Sequence, residues 1–323
     1  MLRSFVNVPT KLFVLILLVS VAVASLSACG GSGGKKFPET ITIGKDGFAP
    51  ILANTELSVG PNRFAFGLQA PDGSLVVDAK VHLAFYDLTA GDEVKRFEMD
   101  AVSRVPARDA GVPQQVEHVH ADGSRHSHFN VGEEIGVYTA QVVFDHAGRW
   151  GVEMEVDAGG RRQTIRPSFT VAAQPTTPPV GADAPRSRNL TAADVTDITQ
   201  IDSSATPSED MHTSTIAGAI AAGRPVLVLF AVPGFCTSRL CGPEMEIMRK
   251  LFPRYRDRVE FIHVEFYKKP GDPQSEVADA VKEWGLRSEP WFFVIDKQGK
   301  ISAKFEGPTS LQELEAALNA VAG

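Results

Sequence analysis

Apolar and polar residues alternate in short runs through the first half of the chain; the second half has longer apolar blocks and helical spacing. The runs Ile41-Thr42-Ile43, Arg63-Phe64-Ala65-Phe66-Gly67-Leu68 and 80–86 carry the two-residue period of half-buried strands, as do 136–144 and 151–156. Pro71-Asp72-Gly73 and Ala147-Gly148 punctuate them as turns. Further on, an Ala-rich stretch from Met211 to Gly223 predicts a helix, and the unbroken apolar run 225–230 predicts a buried strand. Helix 245–252, strand 259–264 and helix 277–284 follow. Strands Trp291–Ile295 and Ile301–Phe305 are joined through the turn Lys297-Gln298-Gly299. Ser310 with Glu313 three residues on forms a capping box that opens a last helix. The second half therefore reads βαβαββα after an initial helix.

Composition fits a folded body, with 43% hydrophobic and 22% charged residues. The net charge of −7 gives no reason to expect a nucleic-acid partner. A length of 323 residues predicts two domains. Ala172 to Asn189 holds four prolines and almost no large apolar residue, the composition of an extended, semi-rigid spacer. The predicted organisation is an all-β, immunoglobulin-like sandwich over 37–172, a Pro-rich linker over 173–189 and an α/β domain over 190–323.

The first residues have the form of a leader. Arg3 and Lys11 are basic, the stretch Leu12 to Ala24 is apolar apart from Ser20, and Leu26-Ser27-Ala28-Cys29 follows. The apolar run is shorter than the ~20 residues of a spanning helix. Small residues before a Cys resemble the lipobox of bacterial lipoproteins, which implies that 1–28 are removed and that Cys29 is acylated. An ordinary secretory leader or an uncleaved anchor is the alternative. Residues 29–36, with Gly30-Gly31-Ser32-Gly33-Gly34, then form a flexible tether to a membrane. That resemblance implies an extracytoplasmic location, in an inner or an outer membrane.

If Cys29 carries lipid, Cys236 and Cys241 remain as an even pair in a compartment that permits disulfides, and they are expected to face each other. Strand 226–230 runs into this Cys-bearing loop and a helix. Trp284-Gly285-Leu286-Arg287-Ser288-Glu289-Pro290-Trp291 resembles a loop ending in a cis-proline, and the 293–305 hairpin supplies two final strands. On these three places residues 205 to 322 resemble the thioredoxin superfamily. The resemblance implies thiol–disulfide exchange with exported proteins and requires no cofactor. Cys236 would attack and Cys241 would resolve, Arg239 would favour the thiolate, and Pro290 would shape the substrate edge. A Cys at a helix start holds its thiolate more readily than the ~8.5 of an ordinary thiol implies.

Four residues, not two, separate the cysteines. Five positions within a regular helix span ~7.5 Å, too far for a disulfide, so Cys236 is expected off the helix. Leu229 stands where thioredoxins carry a buried acid, and Glu289 places a carboxylate near the pair. A purely structural disulfide is the plainer alternative. The segment also resembles the Cys-Thr-three-residue-Cys of one class of peroxiredoxins. Pro233, however, stands where those enzymes place the hydroxyl that orients peroxide, and Leu229 where they have Pro. Thioredoxin-fold copper-delivery proteins, with a Cys pair and a distant His, are a third comparison; His263 is the candidate, although its strand position suits a core side chain.

Half of the eight histidines fall within eleven residues: His118, His120, His126 and His128. A hairpin with a three-residue loop at 122–124 would oppose His120 to His126 and His118 to His128, on one face, where Cu²⁺ or Zn²⁺ could bridge them. A two-residue Asp122-Gly123 loop would send the pairs to opposite faces. A solvated His-rich loop is the alternative to either metal arrangement.

Overall fold

The computed structural model describes residues 36–38, 43–112, 117–119, 125–127, 134–235, 241–270, 272 and 274–323. Phe37–Gly323 form one compact unit. Its first part contains β1 (Ala49–Leu52), β2 (Gly60–Gln69), β3 (Lys80–Asp87), β4 (Val94–Asp100) and β5 (Val102–Arg104), then the short helix α1 (Pro106–Ala110). After these come β6 (Glu117–Val119), β7 (Arg125–Ser127), β8 (Val137–Phe144), β9 (Gly148–Ala158), β10 (Arg161–Ile165) and β11 (Ser168–Val171). One sheet has the order β1-β2-β8-β5; a second has β10-β9-β3-β4, with β11 also paired to β9. All of these pairings are antiparallel.

Alternation explains how the two sheets share a core. Phe64, Phe66 and Phe144 from the first sheet meet Leu83, Phe85, Trp150 and Val152 from the second, all essentially buried. Phe64 and Phe85 touch edge to face across the interface at 5.2 Å between centroids. Such aromatic pairs contribute about 0.5–1.5 kcal/mol beyond their burial. Only Ala101 separates β4 from β5, so the chain passes from the second sheet to the first at that point.

The second part contains α2 (Ile216–Ala221), β12 (Val226–Ala231), α3 (Cys241–Tyr255), β13 (Glu260–Glu265), α4 (Asp279–Glu283), β14 (Trp291–Ile295), β15 (Ile301–Glu306) and α5 (Leu311–Val321). Its sheet has the order β13-β12-β14-β15, with β12 parallel to β13 and the other two pairings antiparallel. α2 and α4 cover one face and α3 and α5 the other. Gly299 turns the β14–β15 hairpin with φ of 80°, in the left-handed region that disfavours other residues. Both arms of the Ser310–Glu313 capping box form. Among the described residues no helix is long and apolar enough to cross a membrane.

The helix expected over 211–223 is shorter than its sequence suggests. Thr215 Oγ accepts the Gly218 N–H at 2.9 Å and caps α2 one residue before Ile216. Residues Glu209–Met211 instead form a separate 3₁₀ turn, which leaves Met211 and His212 buried. α3 is longer than expected, beginning at Cys241. Of the expected strand 41–43, Ile41 and Thr42 lie outside the described residues.

Polar contacts and packing join the two parts. The Arg63 guanidinium, on β2, reaches Glu313 Oε1 at 2.8 Å and donates to the Glu306 and Pro308 carbonyls at 3.0 and 2.6 Å. Glu313 thus serves both its helix cap and a buried ion pair. Ala110 of α1 joins the core made by α3 and α5. The Pro-rich stretch lies along β15: the Gly181 N–H bonds the Ile301 carbonyl, the Ile301 N–H bonds that of Ala182, and the Ala184 N–H bonds that of Gly299. Glu56 accepts from Thr176 N and Oγ at 2.8 and 2.6 Å and from Lys304 Nζ at 3.1 Å. Although burial alone would raise the Glu56 carboxyl, these donors and Thr177 hold it near 2.

Candidate active site

Cys241 is the first residue of α3 and is buried. It stands in the first turn, at the positive end of the helix dipole. In the same turn Glu244 is buried, and its Oε1 accepts the Thr309 N–H at 3.0 Å. Cys236 and Arg239 lie outside the described residues, as does Cys29.

The Glu289–Pro290 peptide is cis, at the position where the resemblance to thioredoxins implies it. Trp291, the first residue of β14, pairs with Phe230, so Pro290 stands just before the strand, at the Ala231 end of β12. That end leads into the 233–235 turn and on to Cys236. The Pro290 carbonyl accepts the Gly307 N–H at 2.9 Å, and Trp291 Nε1 donates to Ser288 Oγ at 2.9 Å. Ser288 Oγ in turn donates to Glu306 at 2.6 Å, and Thr55 from the first part of the molecule donates to the same carboxylate. Burial pushes the Glu306 carboxyl up, against the pull of these hydrogen bonds.

Sequence reasoning singled out only His263, as a core strand position, from a group of buried ionisable residues on the α3 side of the sheet. Residues 261, 263 and 265 of β13 alternate onto the face where Phe261 joins the α3 core. His263 is paired with Leu229 and Glu265 with Ala231. Segment 201–212 covers them with Asp202, Ser203 and His212. Asp202 Oδ2 lies 3.5 Å from His212 Nε2, and its Oδ1 lies 3.8 Å from His263 Nδ1. Burial alone would raise Asp202, but the two histidines and Ser204 hold it well below the ordinary carboxylate range. Burial also pulls His263 down to about 4, overriding the attraction of Asp202. Glu265 is pushed well above its ordinary value by burial, despite the Ser203 N–H at 2.5 Å, and the neighbouring carboxylates Asp202 and Glu289 push the same way. The acid absent at position 229 thus has a counterpart on the adjacent strand, with its carboxyl pushed up by burial. The continuous strand 259–264 gave no sign of it, because Glu265 follows the apolar run.

Ser203 ties this group to the 233–235 turn that precedes Cys236 in the sequence. Its Oγ accepts the Gly234 N–H at 3.0 Å, and a Cβ at Gly234 would meet the Ser203 carbonyl at 2.3 Å. Only glycine permits so close an approach.

The His-rich segment takes neither expected register. β6 and β7 pair Glu117 with Ser127, His118 with His126 and Val119 with Arg125. The five residues 120–124 connect the two strands, so the register is displaced by two from the one a loop at 122–124 would give. His120 and His128 lie outside the described residues.

With a parallel β12–β13 pair, an antiparallel β14–β15 hairpin, helices on both faces and a cis-proline opening β14, this part of the chain is thioredoxin-like in fold. No protein-family profile matches the sequence, and no curated protein matches it. Among solved structures, a candidate thiol:disulfide interchange protein DsbE from Chlorobium tepidum is similar at 17% identity and a TM-score of 0.32. It covers 46% of this chain and 100% of its own. A thiol:disulfide interchange protein of the thioredoxin family from Chlorobium tepidum TLS is similar at 19% identity and a TM-score of 0.26, covering 33% of this chain and 86% of its own.

Proposed function

We propose that the protein is a thiol–disulfide oxidoreductase acting on exported proteins through Cys236 and Cys241, anchored outside the cytoplasm by an acylated Cys29. The observation that supports this best is the position of Cys241 at the first turn of α3, at the same end of the sheet as the Glu289–Pro290 peptide. In this reading the immunoglobulin-like sandwich is a spacer or docking body for the redox unit.

The reaction divides into two exchanges. The Cys236 thiolate attacks one sulfur of a substrate disulfide, forming a mixed disulfide and expelling the other sulfur as a thiolate. The Cys241 thiolate then attacks the Cys236 sulfur, releasing the second substrate thiol. Two electrons have passed to the substrate, and a 236–241 disulfide remains; the reverse sequence oxidises a dithiol. Arg239 favours the attacking thiolate by its charge, whereas Glu289 opposes it. Pro290 offers no N–H and leaves the adjoining edge to an extended substrate chain. Glu265, on the neighbouring strand and with its carboxyl pushed up by burial, is a proton source or sink for the resolving thiol.

Reduction of a model disulfide tests this reading. The Cys236→Ser variant is expected to lose activity by a factor on the order of 100 or more. An unchanged rate would refute exchange at this pair. A reduction potential well below about −300 mV would assign the bond a structural role instead.

A further inference from the structure

The buried triad on the α3 side of the sheet has the chemistry of a ligand set. Asp202, His212 and His263 are each at most 1% exposed, and one ligand atom from each lies within 4.8 Å of the others. Among the described residues, His263 Nδ1 and both ring nitrogens of His212 have no hydrogen-bond partner. Buried polar atoms are ordinarily paired, and two of these nitrogens, His212 Nε2 and His263 Nδ1, face one carboxylate.

Orientation points the same way. His263 Nε2 lies 3.4 Å from the Ala231 carbonyl oxygen, a contact that only a protonated Nε2 can make. Nδ1 of the same ring faces Asp202 Oδ1 at 3.8 Å, beyond hydrogen-bond distance. Anchoring of one imidazole nitrogen by a backbone carbonyl is the usual support of a metal-bound His. The carboxylate is held as well, with Oδ1 accepting the Ser204 N–H at 2.9 Å and Oδ2 the Ser208 N–H at 3.0 Å.

The separations suit an ion. Bonds of about 2.0–2.2 Å in a tetrahedral arrangement put two ligand atoms roughly 3.2–3.6 Å apart. The Asp–His distances of 3.5 and 3.8 Å run to Oδ2 and Oδ1 respectively, and one ligand atom from each residue lies within 4.8 Å of the others, so closing round an ion takes an inward movement on the order of 1 Å. A cavity of about 360 Å³ beside the group is lined by His212 and His263, with Gln200 and Glu265 next to them. Lys268, which also lines it, is bound to Glu276 and Asp279 at 3.0 Å each and so does not fill the place of a cation.

We infer that Asp202, His212 and His263 form a site for a divalent transition metal of the Zn²⁺ class, separate from the cysteines and from the His-rich hairpin. Two imidazoles and one carboxylate match the borderline preference of such ions. An ion here would lock segment 201–212 onto β13, and through Ser203 it would hold the 233–235 turn.

Zn²⁺ titration of the full chain in detergent, followed by thermal melting, tests the site. At about 100-fold excess over Kd the melting temperature is expected to rise by roughly 5–10 °C. The rise should vanish in both His212→Gln and His263→Gln. It should persist in the Cys236→Ser/Cys241→Ser protein and in one carrying His118→Gln, His120→Gln, His126→Gln and His128→Gln. Co²⁺ substitution covers the case in which a buried variant fails to fold. The parent should then give a d–d spectrum without a sulfur-to-cobalt charge-transfer band. No shift in the parent, a shift that survives both triad variants, or one lost with the cysteines or the hairpin histidines would overturn the inference, as would a sulfur charge-transfer band.

Discussion

The two faces of the β12–β15 sheet are equally buried but differ in where they hold charge. Under α2 and α4 the face is apolar from end to end, with Val226, Val228, Phe230, Ile262, Val264, Phe293 and Ile295. Under α3 and α5 it begins the same way, with Leu227, Leu229, Phe261 and Phe292, and then carries His263 and Glu265. The difference lies in the cover. Trp284 packs on Phe230 and Phe293 on the first face, at 5.2 and 4.6 Å between centroids. On the second, segment 201–212 brings Asp202, Ser203 and His212 over the end of β13. Ionisable groups are tolerated in an interior only where the covering segment supplies partners or keeps them neutral. That segment adjoins the turn leading into Cys236, so the polar end of the sheet and the proposed redox chemistry share one location.

The largest effect is expected from breaking the apolar face. Trp284→Ala removes a fully buried ring, and its Nε1 bond to Ser187 Oγ at 3.1 Å, and should cost about 3–5 kcal/mol in urea unfolding. A loss below about 1 kcal/mol would mean that this face is not the stabilising one.

A smaller, pH-dependent effect is expected on the polar face. The folded value of Glu265 lies well above 4.5, the ordinary value. The parent is therefore stable in full below about 4.5 and loses stability as the pH rises from there towards the folded value. Glu265→Gln keeps the acceptor for the Ser203 N–H and cannot ionise. In metal-free buffer its melting temperature should match the parent at pH 4 and exceed it by a few degrees at pH 8. An equal difference at both pH values would show that Glu265 does not titrate in this range.

Local signals made much of the fold readable before any tertiary information. The apolar block at 226–230, the Gly299 turn and the Ser310–Glu313 capping box each depend on a few adjacent residues, and each appears in place. The strands Arg161–Ile165 and Val94–Asp100 were not legible, because their side chains are largely exposed and polar and carry little apolar alternation. The cis-proline position could be inferred from its loop, whereas the Asp202, His212, His263 and Glu265 group could not. Those four residues come from separate stretches of chain and acquire their chemistry from burial, which only the folded arrangement supplies. The clustered histidines illustrate the reverse: proximity in sequence left two registers open, and strand pairing set a third.

Trapping of a substrate tests the central claim most directly. If Cys236 attacks and Cys241 resolves, the Cys241→Ser protein should accumulate a stable mixed disulfide with a model disulfide substrate, through residue 236, while Cys236→Ser accumulates none through Cys241. Equal trapping in both variants, or trapping in neither, would contradict it.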